Sequence, residues 1–467
     1  MALHLKDAVM PNAQAVRRLR LVPLIALPLL LVACGSSETG LSEDAMAEEA
    51  ASASAELDLA DEGRTVHRKS EWSVGGIVRG KTETSTVEPD APPPPKRQPA
   101  AQAGLLTAGD HDDLLNPELY AEYAGRFLQR SGRDLPFVDT RTRVAIKVVG
   151  ADGRAVPFAR VEVKRSGAPL RLVASADGVA SFYPRFDRVP SKTVVAVSSK
   201  AGVASRAVDL GGRGFRRIAI DLPGTTGAVT AMDLALVVDT TGSMGDEMAY
   251  LQAELDTIVA RLKREAGNLD LRIGLIVYRD EGDDYVVRSA PLTDDIKAVR
   301  ANLAQQEVGG GGDTPEAVDR AIAAAARFQW RPDAAKAMLL VADAPPHEEA
   351  LAQTLAATQG LRSRGVQIVP VAASGVEDSA QYMMRTMAAL TQGRYIFLTD
   401  DSGLGDSHAE PDLACYVVSR LDQVIARVLA GIVEGRRIEP GREEIIRTVG
   451  TYDRGRCQGA GVTARQS

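Results

Sequence analysis

From residue 233 to residue 433, short apolar runs alternate with segments of helical period, and few folds accept that order. Residues 233–238 (DLALVV) are apolar after the first position and too short for a helix, as expected of a strand buried on both faces of a parallel sheet. Met248, Leu251, Leu255, Ile258, Val259 and Leu262 then recur at helical spacing and define one apolar stripe. Further strands are predicted at 272–278, 285–288, 337–342, 366–372 and 395–398, and helices at 295–305, 315–328, 348–364, 379–390 and 413–433. The pattern is that of an α/β fold with a doubly wound, mostly parallel sheet. In such sheets ligands bind beyond the carboxyl ends of the strands.

Three loops at those ends share one chemistry. Asp239, Thr241 and Ser243 are spaced by two, so all three can turn inward from a single loop. A second loop holds four glycines, Gly309 to Gly312, followed by Asp313, Thr314, Pro315 and Glu316; the glycines free the backbone, and Thr314 sits just before a helix. The third supplies Asp343, directly after the strand at 338–342. Taken singly, these are a capped polar turn, a hinge and a loop carboxylate before Pro345 and Pro346. Together, two carboxylates and three hydroxyls form a hard-oxygen donor set suited to Mg²⁺, Mn²⁺ or Ca²⁺ rather than Zn²⁺ or Cu²⁺. No Lys-Ser/Thr pair follows the glycine run, which excludes a P-loop.

On these residues, 231–434 resembles the von Willebrand factor A (VWA) domain with its metal-ion-dependent adhesion site. The family pattern Asp-x-Ser-x-Ser appears as Asp239, Thr241 and Ser243, with threonine in place of the middle serine; Thr314 and Asp343 match the family's second and third loops. The resemblance implies a Rossmann-like fold in which Thr241 and Ser243 contact the metal directly. It further implies that Thr314 joins when ligand is bound, and that Asp239 and Asp343 act through water. An Asp or Glu carboxylate from a partner protein would complete the shell, making this a binding and adhesion module rather than an enzyme. The competing reading is a serine hydrolase with Ser243 as nucleophile: residues 241–245 (TGSMG) lie one glycine short of a nucleophile elbow, and Asp343 with His347 or His408 follows in hydrolase order. A structural envelope protein with a stabilising metal site is a third. The acidic loop of Asp280, Glu281, Asp283 and Asp284 reads as a solvated turn or a second cation site, and His347 as a loop residue near the metal rim.

Ahead of the α/β region the period is two. Val144, Ile146 and Val148 alternate, Val161 and Val163 follow a turn, and further strands are predicted at 180–182, 194–197, 207–210 and 218–222. This predicts an all-β sandwich over 138–223. Its turns resemble those of carboxypeptidase-regulatory-like and Ig-like domains, which implies a spacer or stabilising role. Before it, Asn116, Pro117 and Glu118 read as a helix start with Asn116 as cap, and Leu119, Tyr120, Tyr123 and Phe127 form an apolar face within a helical segment at 111–137.

The first 33 residues combine Arg17, Arg18 and Arg20 with an apolar run too short to span a bilayer, which takes roughly 20 residues. This reads as a signal peptide. It ends in Leu31, Val32, Ala33 and Cys34, which resemble the bacterial lipobox; the resemblance implies cleavage before Cys34, lipidation of its thiol and attachment to a cell-envelope membrane, the outer one in a Gram-negative cell. An ordinary secretory signal is the alternative. Residues 34–110 are rich in Ala, Ser, Glu and Pro and read as a disordered tether with an r.m.s. span of about 50 Å. Aromatics at only 4% suit a chain with such a non-packing portion. A net charge of −7 and a pI near 5.5 argue against nucleic-acid partners. Three cysteines without CxxC spacing exclude a zinc ribbon. Once Cys34 is lipidated, Cys415 and Cys457 remain: either they pair, or Cys415 is a free buried thiol. Residues 435–467, with Arg436, Arg437 and Arg442, read as a solvated tail.

Overall fold

The structure, a computed structural model, describes residues 104–132, 135–312, 314–403 and 411–458. The chain divides into two units, Met1–Pro93 and Pro94–Ser467, and every described residue belongs to the second. The signal peptide, Cys34, the tether up to residue 103 and His408 lie outside the described residues. Among the described residues no helix is long and apolar enough to cross a membrane.

The chain enters through strand β1 (Thr107–His111) and helix α1 (Pro117–Ser131). Tyr120 and Phe127 of α1 are buried, and Phe127 stacks on Tyr382 with ring centroids 4.6 Å apart. Asn116 does not cap α1 as expected: its Nδ2 donates to the carbonyls of Asp112 at 3.0 Å and Gly455 at 2.7 Å, while its Oδ1 accepts from the N–H of Cys457 at 2.9 Å. Its side chain ties two ends of the chain together.

Seven strands then build the sandwich: β2 (Val144–Val149), β3 (Arg160–Val163), β4 (Leu170–Val173), β5 (Val179–Phe182), β6 (Lys192–Ser199), β7 (Gly202–Asp209) and β8 (Arg216–Asp221). They form sheets of order β5-β2-β8 and β4-β3-β6-β7. Alternation sets the faces: in β6, Thr193, Val195 and Val197 are buried between exposed neighbours. Only β4 escapes prediction. It offers just Leu170 and Leu172 in four residues, too few to display a period.

The α/β domain continues with β9 (Ala231–Asp239), α2 (Gly245–Glu265), β10 (Asp270–Tyr278), β11 (Val287–Thr293), α3 (Ile296–Ala304), α4 (Val318–Ala326), β12 (Ala335–Ala342), α5 (Leu351–Arg362), β13 (Gln367–Ala372), α6 (Asp378–Thr391), β14 (Tyr395–Thr399), β15 (Tyr416–Arg420), α7 (Leu421–Glu434), β16 (Arg447–Val449), β17 (Tyr452–Asp453) and β18 (Arg456–Cys457). Nine strands make the main sheet in the order β11-β10-β9-β12-β13-β14-β1-β15-β16, with β10, β9, β12, β13 and β14 parallel. The doubly wound, mostly parallel sheet is as expected. Successive residues of β9 serve opposite faces: Met232, Leu234, Leu236 and Val238 pack with α2 and α7, whereas Ala235 and Val237 pack with α4 and α6. Asp233 in the same strand is neutralised by Arg272 at 2.7 Å and Arg331 at 2.8 Å.

Four expectations are corrected. The tether does not extend to residue 110, because β1 lies inside the sheet, antiparallel to β14 and β15. Its residues Thr-Ala-Gly-Asp-His show no apolar alternation. Instead, Gly109 leaves room for the Phe397 ring, whose Cζ would stand 2.5 Å from a Cβ there, and Asp110 is held by Arg437 at 2.8 Å. The single helix expected at 413–433 is a strand, β15, joined directly to α7; Tyr416, Val417 and Val418 favour the strand, and no Gly or Pro marks the boundary. Residues 435–467 are not simply a solvated tail, since β16 extends the sheet and Arg437 is largely buried against Asp110 and Glu439. The edge strand expected at 285–288 lies instead at Val287–Thr293. Cys415 and Cys457 are bonded as a disulfide, with Cα atoms 5.3 Å apart.

Candidate metal site

From β9 the chain moves to β10 on one side and later to β12 on the other, so the end of β9 is the switch point where a doubly wound sheet opens a crevice. Asp239 stands there, fully buried. Its Oδ1 accepts from the Thr241 N–H at 2.9 Å and from Thr241 Oγ1 at 2.7 Å, and Thr241 Oγ1 lies 3.4 Å from Ser243 Oγ. The spacing by two therefore brings all three side chains into one chain of contacts. It runs from buried Asp239 and Thr241 to exposed Ser243.

The glycine loop is laced onto this turn. The Gly309 N–H donates to the Thr240 carbonyl at 3.0 Å, and the Gly242 N–H to the Gly310 carbonyl at 3.2 Å. Gly310 and Gly311 have φ of 74° and 62°. A Cβ on Gly311 would lie 2.8 Å from both Glu316 Oε1 and Thr241 Cβ, so glycine is required for conformation and for closeness.

Asp343 follows β12 and is 8% exposed. Burial raises its carboxyl pKa, and the Ser243 hydroxyl pulls it back, linking the third loop to the first. Thr314 is placed differently. It is exposed, and its Oγ1 donates to Glu377 Oε1 at 3.0 Å rather than to Thr241 or Ser243. Asp313 lies outside the described residues.

Glu316 and Glu377 were not assigned a part by sequence reasoning. Burial, reinforced by the charges of Asp239, Asp280, Asp283 and Asp343, pushes the Glu316 carboxyl up to about 9. Its place in the glycine loop was visible, but its burial was not. Glu377 precedes α6 and gives its N–H to the Asp343 carbonyl at 3.2 Å; only the three-dimensional fold brings it to the site.

Burial likewise pushes Asp239 up to about 7, with the charge of Asp343 adding to the effect and the two Thr241 hydrogen bonds opposing it. Asp239 Oδ2, Asp343 Oδ1 and Glu316 Oε2 are buried without hydrogen-bond partners. Such oxygens carry a desolvation cost that a cation relieves. Among the described residues no three His, Cys, Asp or Glu side chains ring a single point. A cation here would thus depend on hydroxyls and water beside the carboxylates, the donor set the loops offer.

The acidic loop is built into the same region: Asp283 Oδ2 accepts from the Gly311 N–H at 3.0 Å, and Asp280 Oδ1 lies 2.6 Å from His347 Nε2. Among the described residues, Ser243 hydrogen-bonds no histidine.

Residues 233–409 match the family model of the von Willebrand factor type A domain, so the part of the chain from β9 to β14 carries that domain. A 125-residue segment is 34% identical to a putative ariadne-like RING finger protein of Acanthamoeba polyphaga mimivirus, covering 26% of this chain and 12% of that protein. A 126-residue segment is 29% identical to an alpha-protein kinase of Dictyostelium discoideum, covering 26% of this chain and 19% of the kinase. Among solved structures, a pilus adhesin from Lactobacillus rhamnosus GG in its open conformation aligns with a TM-score of 0.31 at 11% identity, over 65% of this chain and 36% of the adhesin. An aerotolerance-related membrane protein from Bacteroides fragilis aligns with a TM-score of 0.23 at 16% identity, over 46% of this chain and 93% of that one.

Proposed function

We propose that this is an envelope lipoprotein, anchored through acyl groups on Cys34, whose VWA domain binds Mg²⁺ (or Mn²⁺ or Ca²⁺) and captures a protein that offers an exposed Asp or Glu carboxylate. The observation that carries the reading is the pair of buried, unpartnered oxygens, Asp239 Oδ2 and Asp343 Oδ1, beside a hydroxyl chain that opens to solvent at Ser243. Thr241 and Ser243 would hold the ion directly, and Asp239 and Asp343 through water. Thr314 would exchange Glu377 for the ion when a partner docks. An ion held mainly by neutral oxygens stays electrophilic, which is the chemistry that attracts a carboxylate. The sandwich serves as a spacer between the tether and this head, and the partner surface is protein rather than nucleic acid.

Pull-down from envelope extract tests the reading. The intact chain is expected to retain a partner in Mg²⁺, release it in EDTA, and lose it on Ser243→Ala. Capture that is indifferent to EDTA overturns it. Esterase turnover abolished by Ser243→Ala would instead establish the hydrolase.

A further inference from the structure

Buried polar contacts join the sandwich to the α/β domain. Arg362 donates to Asp187 at 2.7 and 3.0 Å, and the Tyr183 hydroxyl donates to the Ala389 carbonyl at 2.6 Å. Near this junction lies a cleft of about 280 Å³. Arg143 and Arg217 line it from the sandwich, and Arg394, Arg436 and Arg437 from the α/β side. It sits at the amino ends of β13 and β14, the opposite edge of the sheet from the metal loops.

Five arginines line one cleft in a chain of net charge −7; Arg436 is paired with Glu434 at 2.5 Å and Arg437 with Glu439 at 2.6 Å, which leaves Arg143, Arg217 and Arg394 less compensated. The two carboxylates that line it, Asp112 and Asp177, are committed to local turns: Asp112 accepts from the Leu114 N–H at 2.9 Å, and Asp177 from the Val179 N–H at 2.9 Å. Arg217 is exposed and has no ion-pair or hydrogen-bond partner among the described residues. Arg143 stacks on Phe215 at 4.9 Å and otherwise reaches only the Leu114 carbonyl at 3.5 Å. Deeper in, Arg394 and Arg437 share Asp110, at 3.6 and 2.8 Å, with Arg427 also at 3.6 Å. Arg394 Nη1 and Arg437 Nη1 are buried without a hydrogen-bond acceptor. Crowded guanidinium groups with unused donors are the arrangement that an oxyanion relieves, since its oxygens accept charge-assisted hydrogen bonds from several forks at once.

We propose that this interdomain cleft binds a small ligand bearing oxyanion groups, a phosphate or a polycarboxylate, through Arg143, Arg217 and Arg394. The site is built from other residues than the metal loops and does not depend on the function proposed above.

Calorimetry on the full chain, stripped of metal with EDTA and then desalted so that the cation site is silent and no polycarboxylate competes, tests it with inorganic phosphate and citrate as probes and sodium chloride at matched ionic strength as control. Saturable uptake near one equivalent is expected, weakened at least tenfold by Arg217→Glu and unchanged by Ser243→Ala. Because Arg217 is exposed, Arg217→Glu should keep the wild-type melting temperature. Tighter citrate binding identifies a polycarboxylate ligand, and tighter phosphate binding a phosphoryl group. Heats no larger than those of sodium chloride, or binding indifferent to both Arg217→Glu and Arg143→Gln, overturn the proposal.

Discussion

Asp239 is fully buried, with one carboxylate oxygen held twice by Thr241 and the other left without a partner. Burial pushes its carboxyl from 3.8 up to about 7, so the folded protein holds that proton more tightly than the unfolded chain does. The stability linked to this group is complete below pH 3.8 and is lost as the pH rises through about 7. Asp239→Asn removes the charge and keeps the shape. At pH 8 in EDTA the variant is expected to melt at or above the wild-type temperature, yet to gain nothing from added Mg²⁺; thermal melts with and without the ion check both halves. Gly311 makes a second prediction, because its positive φ and its closeness to Thr241 leave no room for a methyl group. Gly311→Ala is expected to cost about 2 kcal/mol in urea unfolding and to weaken metal uptake. The Asp239, Thr241 and Ser243 group was legible because one loop holds it. Glu377 was not, because nothing local in sequence ties it to Thr314 or Asp343.

Elements with a clear period were legible, and those held by polar contacts were not. The apolar stripe of α2 and the continuous run of β9 announce themselves, since each is fixed by burial against the sheet or its helices. β1 carries no such pattern. Asp110 and Gly109 fit their places through an arginine cluster and an aromatic ring supplied by residues roughly 300 positions away. The C-terminal elements depend on similar distant ties, namely the Cys415–Cys457 disulfide and the Asn116 hydrogen bonds to Gly455 and Cys457. The disulfide joins cysteines 42 positions apart, so Cys457→Ser is expected to lower stability by about 3 kcal/mol. Chemical denaturation of the variant beside the wild type measures it, and a loss below about 0.5 kcal/mol would mean that the hydrogen bonds of Asn116, Tyr452 and Arg456 hold the hairpin of β17 and β18 without the disulfide.

At the scale of the whole molecule the α/β domain is discontinuous in sequence. β1 comes from before the sandwich and fills the gap between β14 and β15, so the sandwich is an insertion between the first strand and the rest of the sheet. A fragment of residues 231–434, the span that the sequence alone marks as the domain, leaves β14 and β15 without their shared neighbour. It is expected to aggregate or remain unfolded, whereas 104–458 gives a cooperative melt; circular dichroism and gel filtration of the two fragments decide this. The sandwich and the head were separable by period, but the head's own strand β1 was hidden in a stretch whose composition resembles the tether. The same global assembly brings Asp239, Ser243 and Asp343 to one crevice, and calorimetric titration of Mg²⁺ into the full chain tests that assembly most directly. The account predicts saturation at one ion, abolished by Ser243→Ala at an unchanged melting temperature in EDTA; no uptake of Mg²⁺, Mn²⁺ or Ca²⁺ by the folded wild type would contradict it.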